Sequence, residues 1–250
     1  MFHIQLYFLI IAAAVILLSS VVKGITGFGF ALLAVPLLSM IFPLNLLVPS
    51  LVLFNLITSI MMLYKLKEKI RGYYIVPMIL ASLAGIPLGV HLLTFLNPEI
   101  LKIITGFTVV LFSIKMLSGV KLAKRNIHKP IVFAGFLSGI LTSSISIGGP
   151  PLAIALDRKG YSKDMFRGIF IWFMVFSSLF SSLAFYYKGL LTTDTIKFTV
   201  FSLPLLFIGS GWGVKIAAKI NQHQFRKFVI YINVCTGLLM LITTLIKFKQ

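Results

Sequence analysis

Long apolar runs alternate with short basic or polar connections along the chain. The runs occupy residues 4–42, 46–64, 73–96, 103–120, 130–156, 168–187, 197–218 and 228–246. A helix crossing a hydrocarbon core needs roughly 20 apolar residues, so most of these runs predict one membrane-crossing helix each. The run 4–42 is too long for one crossing and carries Gly24, Gly27 and Gly29 in its middle. The run 130–156 carries Gly148-Gly149-Pro150-Pro151, which leaves arms too short on either side to cross fully. Glycine and proline interrupt helices that have no other reason to stop. Both runs are therefore expected to be broken helical hairpins that enter the membrane and return.

Each half of the chain holds one such break, about 115 positions apart, and paired interrupted segments in corresponding positions are the sequence pointer to a transporter's binding site. The halves match elsewhere. Asn55, Thr58 and Ser59 align with Ser178, Ser181 and Ser182, and Gly85/Gly89 followed by Asn97 aligns with Gly209/Gly213 followed by Asn221. The expected fold is an all-α polytopic membrane protein of two inverted repeats, 1–125 and 126–250, each a broken hairpin plus three transmembrane helices, together one membrane domain.

Charge tests that topology. If all eight runs were simple spans, the side sharing residues 65–71 would carry twelve basic residues against eight opposite. With two re-entrant hairpins it carries fifteen against five. Basic loops mark the cytoplasmic face, so the hairpin arrangement is preferred, with both termini outside the cytoplasm. The N-terminal Met-Phe-His-Ile-Gln lacks a basic leader and reads as retained.

Composition agrees: 59% of residues are hydrophobic, mean hydropathy is +1.05 and 11% are charged, far outside the soluble range. The formal charge of +18 lies in loops and predicts topology; no basic and aromatic residues interleave on a polar face, so no nucleic-acid partner is expected. With one cysteine, Cys235, read as packing, and four scattered histidines, neither an internal disulfide nor a metal or other cofactor is expected.

Broken helices inside a membrane expose backbone groups that lipid does not tolerate, so a cavity follows at the breaks. The return arm of each hairpin would aim its free N–H groups and positive dipole end at the midplane, and two such ends make an anion site. Lys23 stands beside the first break. A lysine at a helix centre costs about 2.5–3.5 kcal/mol on insertion scales and needs a carboxylate, water or a bound anion, unless it snorkels to a surface. The five acids, Glu68, Glu99, Asp157, Asp164 and Asp194, lie in loops or at segment ends. An anionic substrate is therefore favoured over a cation. Gly85/Gly89 and Gly209/Gly211/Gly213 read as helix-packing surfaces, His91 as a packed or interfacial residue, and Asn55 and the serine pairs 177–178 and 181–182 either as interhelical glue or as cavity lining. Ser143, Ser144 and Ser146 have no base at a spacing that would seat it beside them, so the chain is not read as an enzyme.

The segment Gly24-x-x-Gly27-Phe28-Gly29-x-x-Leu32-x-x-x-Pro36-x-Leu38, together with Gly135-x-x-Ser138-Gly139 to Gly149-Pro150-Pro151-Leu152 and Phe166-Arg167-Gly168, resembles the glycine motifs of the sulfite exporter TauE/SafE family. The resemblance covers nearly the whole chain. It implies transport of small sulfur-containing or organic anions, such as sulfite, sulfonates or sulfoacetate, across a prokaryotic inner membrane. One departure is the serine set Ser143, Ser144 and Ser146, where the family is often glycine-rich; these hydroxyls would donate to anion oxygens or cap the broken helix. The expected site comprises Lys23 as the charge, Gly24, Thr26, Gly27, Gly29, Ser143, Ser144, Gly148, Gly149 and Pro150 around the breaks, and Asn55 and Ser178 flanking them. The expected partners are a small anionic solute and the lipid bilayer, with a homodimer left open. An anion channel, or a membrane enzyme or scaffold that moves nothing, is the alternative.

Overall fold

The computed structural model describes residues 6–26, 29–64, 66, 72–117, 129–159, 161, 163–217 and 222–248, and every regular element among them is helical. The helices are α1 (Leu6–Thr26), α2 (Phe30–Leu38), α3 (Leu44–Tyr64), α4 (Val76–Phe95), α5 (Pro98–Leu117), α6 (Lys129–Ile145), α7 (Gly149–Lys159), α8 (Lys163–Tyr187), α9 (Thr193–Ala217) and α10 (Gln222–Phe248), with a 3-10 turn at Gly72–Tyr74. Six of them, α1, α3, α4, α8, α9 and α10, are long and apolar enough to cross a membrane. Large side chains such as Leu80, Phe133, Phe201, Trp212 and Tyr231 stand exposed on the outside, as a lipid-facing surface requires. Cys235 is exposed as well, not packed inside.

Both broken runs do break, at Gly29 and at 146–148. Their arms are unequal. At 21 residues, α1 is about 31 Å long and can cross a bilayer alone, whereas its return partner α2 has nine residues. The second run divides into 17 and 11 residues. Gly29 caps α2 with φ 97°, a left-handed conformation that glycine adopts without strain. At the other break Ser146 holds φ 60°, rare for a residue with a side chain. Its N–H donates to Thr142 O at 3.0 Å, and the Ile147 N–H reaches back to Leu141 O at 3.1 Å. These bonds satisfy the last carbonyls of α6 and turn the chain into α7.

The main packing pairs are α4 with α6, α1 with α9, α5 with α10 and α3 with α8. Exchanging α1–α5 with α6–α10 leaves this set unchanged, so the packing has a two-fold pattern. Glycines set how closely the pairs approach. A Cβ added to Gly85 would lie 2.3 Å from Phe136 O, and one on Gly89 2.3 Å from Ile140 O. On the equivalent pair, a Cβ on Gly209 would meet Leu17 O at 2.7 Å and one on Gly213 would meet Val21 O at 2.3 Å, whereas Gly211 between them points away from α1, has nothing within 4 Å of its Cβ position and is not part of the packing surface. In both pairs the contacts advance together along the two helices, which therefore run parallel. In α5 and α10 Gly106 meets Leu241 while Gly237 meets Val110, so these two run antiparallel.

These contacts also fix the register between the halves. Gly213 rests on Val21 and Gly24, Gly89 on Ile140 and Ser143. Gly24 thus corresponds to Ser143, one helical turn beyond the Gly139 that the 115-residue spacing would pair with it. The main apolar core draws on α1 to α6 together with Phe185 of α8 and Leu206 of α9, with Phe42, Phe54 and Phe198 in aromatic contact.

Candidate functional site at the two helix breaks

Lys23 sits in the last turn of α1, where the carbonyl end of the helix dipole favours a cation. It is only 5% exposed, so it does not snorkel to an aqueous surface. Its Nζ donates to Asn55 Oδ1 at 2.7 Å and to Thr58 Oγ1, both on α3. Thr58 Oγ1 also donates to Phe54 O at 2.6 Å. The bond from Lys23 takes the amide oxygen of Asn55, which leaves its Nδ2 to face Ser146 Oγ at 3.4 Å. A polar chain thus runs from α1 through α3 to the left-handed serine of the second break. A buried ammonium is tolerated because neutral oxygens solvate it, although they leave its charge uncancelled.

This chain forms one wall of a narrow, partly open pocket. Both breaks contribute: Gly29 to Leu32 from the first, and Ser146, Ile147, Gly149 and Pro150 from the second. Ser59 and Met62 of α3 and Phe170, Ile171 and Met174 of α8 complete it. The lining mixes the polar groups of Lys23, Asn55, Ser59 and Ser146 with apolar and thioether side chains.

The two helix starts differ in what they offer. Gly29 gives α2 no side-chain cap, and the first bond back into the helix is Leu33 N–H to Gly29 O at 3.4 Å. The N–H groups of Phe30, Ala31 and Leu32, all pocket residues, therefore have no acceptor inside α2. By contrast α7 begins Gly149-Pro150-Pro151, and proline has no N–H. Its N-terminus supplies a dipole and the Gly149 N–H but little more. The donor-rich side of the site is the first break.

Of the twelve residues the sequence singled out, the pocket gathers Lys23, Gly29, Asn55, Gly149 and Pro150. Gly24 instead packs against Ser210 and Gly213 of α9. Ser143 Oγ donates to Ile86 O and Gly139 O, each at 2.9 Å, and Ser144 Oγ to Ile140 O at 2.7 Å, so these hydroxyls serve helix packing. Gly148 lies against Thr142 and Ser138. Ser178 is buried away from the pocket. Gly27 and the side chain of Thr26 lie outside the described residues. Thr58 and the apolar wall on α8 were not singled out; the alignment of Thr58 with Ser181 hinted at the first, and nothing local marks the second. His91 is exposed against Phe95, and among the described residues no acidic, histidine or cysteine cluster could hold a metal.

A family model described as sulfite exporter TauE/SafE matches residues 11–240, a span that encloses both breaks and every residue lining the pocket. No curated protein and no solved structure matches the chain. With a membrane-crossing helical fold, two broken helices and a family match over nearly its full length, this multi-pass membrane protein belongs to the sulfite exporter TauE/SafE family of transporters.

Proposed function

We propose that the protein is a secondary transporter of a small sulfur-containing or organic oxyanion, of sulfite, sulfonate or sulfoacetate type, bound in the pocket between the two breaks. The observation that carries this reading is the buried Lys23 ammonium beside the uncapped start of α2. Its neutral partners Asn55 and Thr58 hold it in place and leave a positive site that an anion completes. The free N–H groups of residues 30–32 add donors at a positive dipole end. Among the described residues no carboxylate lines the pocket: Glu99 and Asp194 stand in the first turns of α5 and α9.

The reading includes two inverted repeats, 1–125 and 126–250, that rock against each other around the site. The two-fold set of helix pairs and the antiparallel crossing of α5 and α10 support it, because a pseudo-two-fold axis in the membrane plane reverses every helix it exchanges. The testing experiment is uptake into proteoliposomes with sulfite, a C2 sulfonate, sulfate, thiosulfate and a simple carboxylate. Saturable flux with counterflow for one sulfur oxyanion is the expected result. Equal flux for all five, or large unitary currents, would replace the carrier by a channel. The topology has its own check. Reporter fusions within 157–167 are expected to read cytoplasmic and at Gln250 external; an external reading at 157–167 would overturn the inverted arrangement.

A further inference from the structure

The pocket has a closed counterpart. The register that carries α1 onto α6 takes Lys23 to Thr142. The register that carries α3 onto α8, whose last residues are Tyr64 and Tyr187, takes Asn55 and Thr58 to Ser178 and Ser181. All three counterparts are buried. A helical serine ordinarily satisfies itself on the carbonyl four residues back, as Ser182 does on Ser178 O at 2.8 Å. The hydroxyls of Ser177, Ser178 and Ser181 do not: they are 0% exposed and have no hydrogen-bond partner among the described residues. Ser19, Ser113, Ser138 and Asn233 also hold an unpaired buried oxygen, each alone on its helix; three on consecutive turns of α8 call for an explanation that packing alone does not supply.

The pocket's apolar wall transforms in the same way. Met62 and Phe170 correspond to Phe185 and Leu47, Ile171 and Met174 to Val48 and Leu51. The first set lines the pocket, with Met62 and Met174 half-buried and Phe170 and Ile171 4% and 3% exposed, whereas the second set is 0% exposed in the main core. The fold therefore holds one wall apart and its two-fold counterpart shut.

We infer that Ser177, Ser178 and Ser181 line a second solute passage, on the membrane side opposite the described pocket, which Leu47, Val48, Leu51 and Phe185 close in this state. The inference rests on the two-repeat transporter reading and assigns residues to its other half. When the halves exchange conformations, Leu47 and Phe185 come to line an opening as Phe170 and Met62 line the pocket now, and the serine hydroxyls meet water or the oxygens of the passing anion. Thr142 stands in place of a lysine, so this passage offers hydroxyl donors without a cation.

Single cysteines in a Cys235→Ser background test it, in vesicles of defined orientation exposed to an impermeant thiol reagent. Met62→Cys is expected to react only from the face that carries residues 65–71. Ser178→Cys and Ser181→Cys are expected to react only from the other face, about tenfold slower at rest. They should speed up when a C2 sulfonate is supplied, and also when Phe185→Ala loosens the closure. Reaction of the two serine positions from the 65–71 face overturns the inference. So does no reaction from either face even with Phe185→Ala. Sulfonate counterflow in the same vesicles separates the two readings: flux without labelling of position 178 or 181 sinks the passage alone, and labelling from the far face without flux sinks the assigned solute while the passage stands.

Discussion

Lys23→Met is expected to lower saturable anion flux about 100-fold while the protein still folds. The methionine keeps the length of the stem and removes the charge. A charge-assisted contact to a buried anion is worth roughly 1.5–3 kcal/mol, and each 1.4 kcal/mol is tenfold in an equilibrium constant. Folding is less affected because two effects oppose each other. Asn55 Oδ1 and Thr58 Oγ1 lose a donor, but a buried charge with no counter-ion among its described partners is removed. Lys23→Arg is expected to restore only part of the flux, because a planar guanidinium does not fit where a compact ammonium reaches both oxygens of α3. Initial uptake rates in proteoliposomes at matched protein content provide the measurement. Wild-type flux in Lys23→Met would remove the lysine from the site and with it the main argument for an anion.

Gly24→Ala is expected to act through stability instead. Its Cβ would lie 2.5 Å from Ser210 O and 2.9 Å from Gly213 Cα, both backbone atoms of α9. Neither can swing aside as a flexible side chain would, so α1 and α9 must separate along their contact. Overpacking of this kind costs about 1–3 kcal/mol. At roughly 2–4 °C per kcal/mol for a chain of this size, the thermal midpoint of the purified protein should drop by about 5 °C. Gly211→Ala on the same α9 is the control, since nothing lies within 4 Å of its Cβ and alanine is the better helix former. A Gly24→Ala protein as stable as the Gly211→Ala control would mean that the close approach of α1 and α9 is not what Gly24 provides.

These two neighbours differ in how much of their role is local to the chain. Both were named from the sequence because they flank the first break. Lys23 could be placed there from its cost in lipid and the lack of an acid nearby, which are properties of the chain alone. Gly24 is chemically the same residue whether it faces a solute or a helix, and only the position of α9 separates the two roles. Ser143 and Ser144 repeat the lesson, since a hydroxyl in a helix can turn to a carbonyl on its own or a neighbouring helix or to a ligand, and here both turn to carbonyls.

By itself the sequence determined the membrane-crossing helices, because about 20 apolar residues between basic loops have one favourable environment, and it located the breaks, because glycine and proline clusters act on the residues next to them. It also carried the family resemblance. What only the tertiary structure decided depends on which surfaces meet across the chain: the partners Asn55 and Thr58 for Lys23, the shift of one helical turn between the halves, the apolar wall on α8, and the full burial of Leu47 and Phe185 in the main core. Glycine periodicity tells a helix that it can approach another closely, but the partner and the register come from how the described helices fill space together.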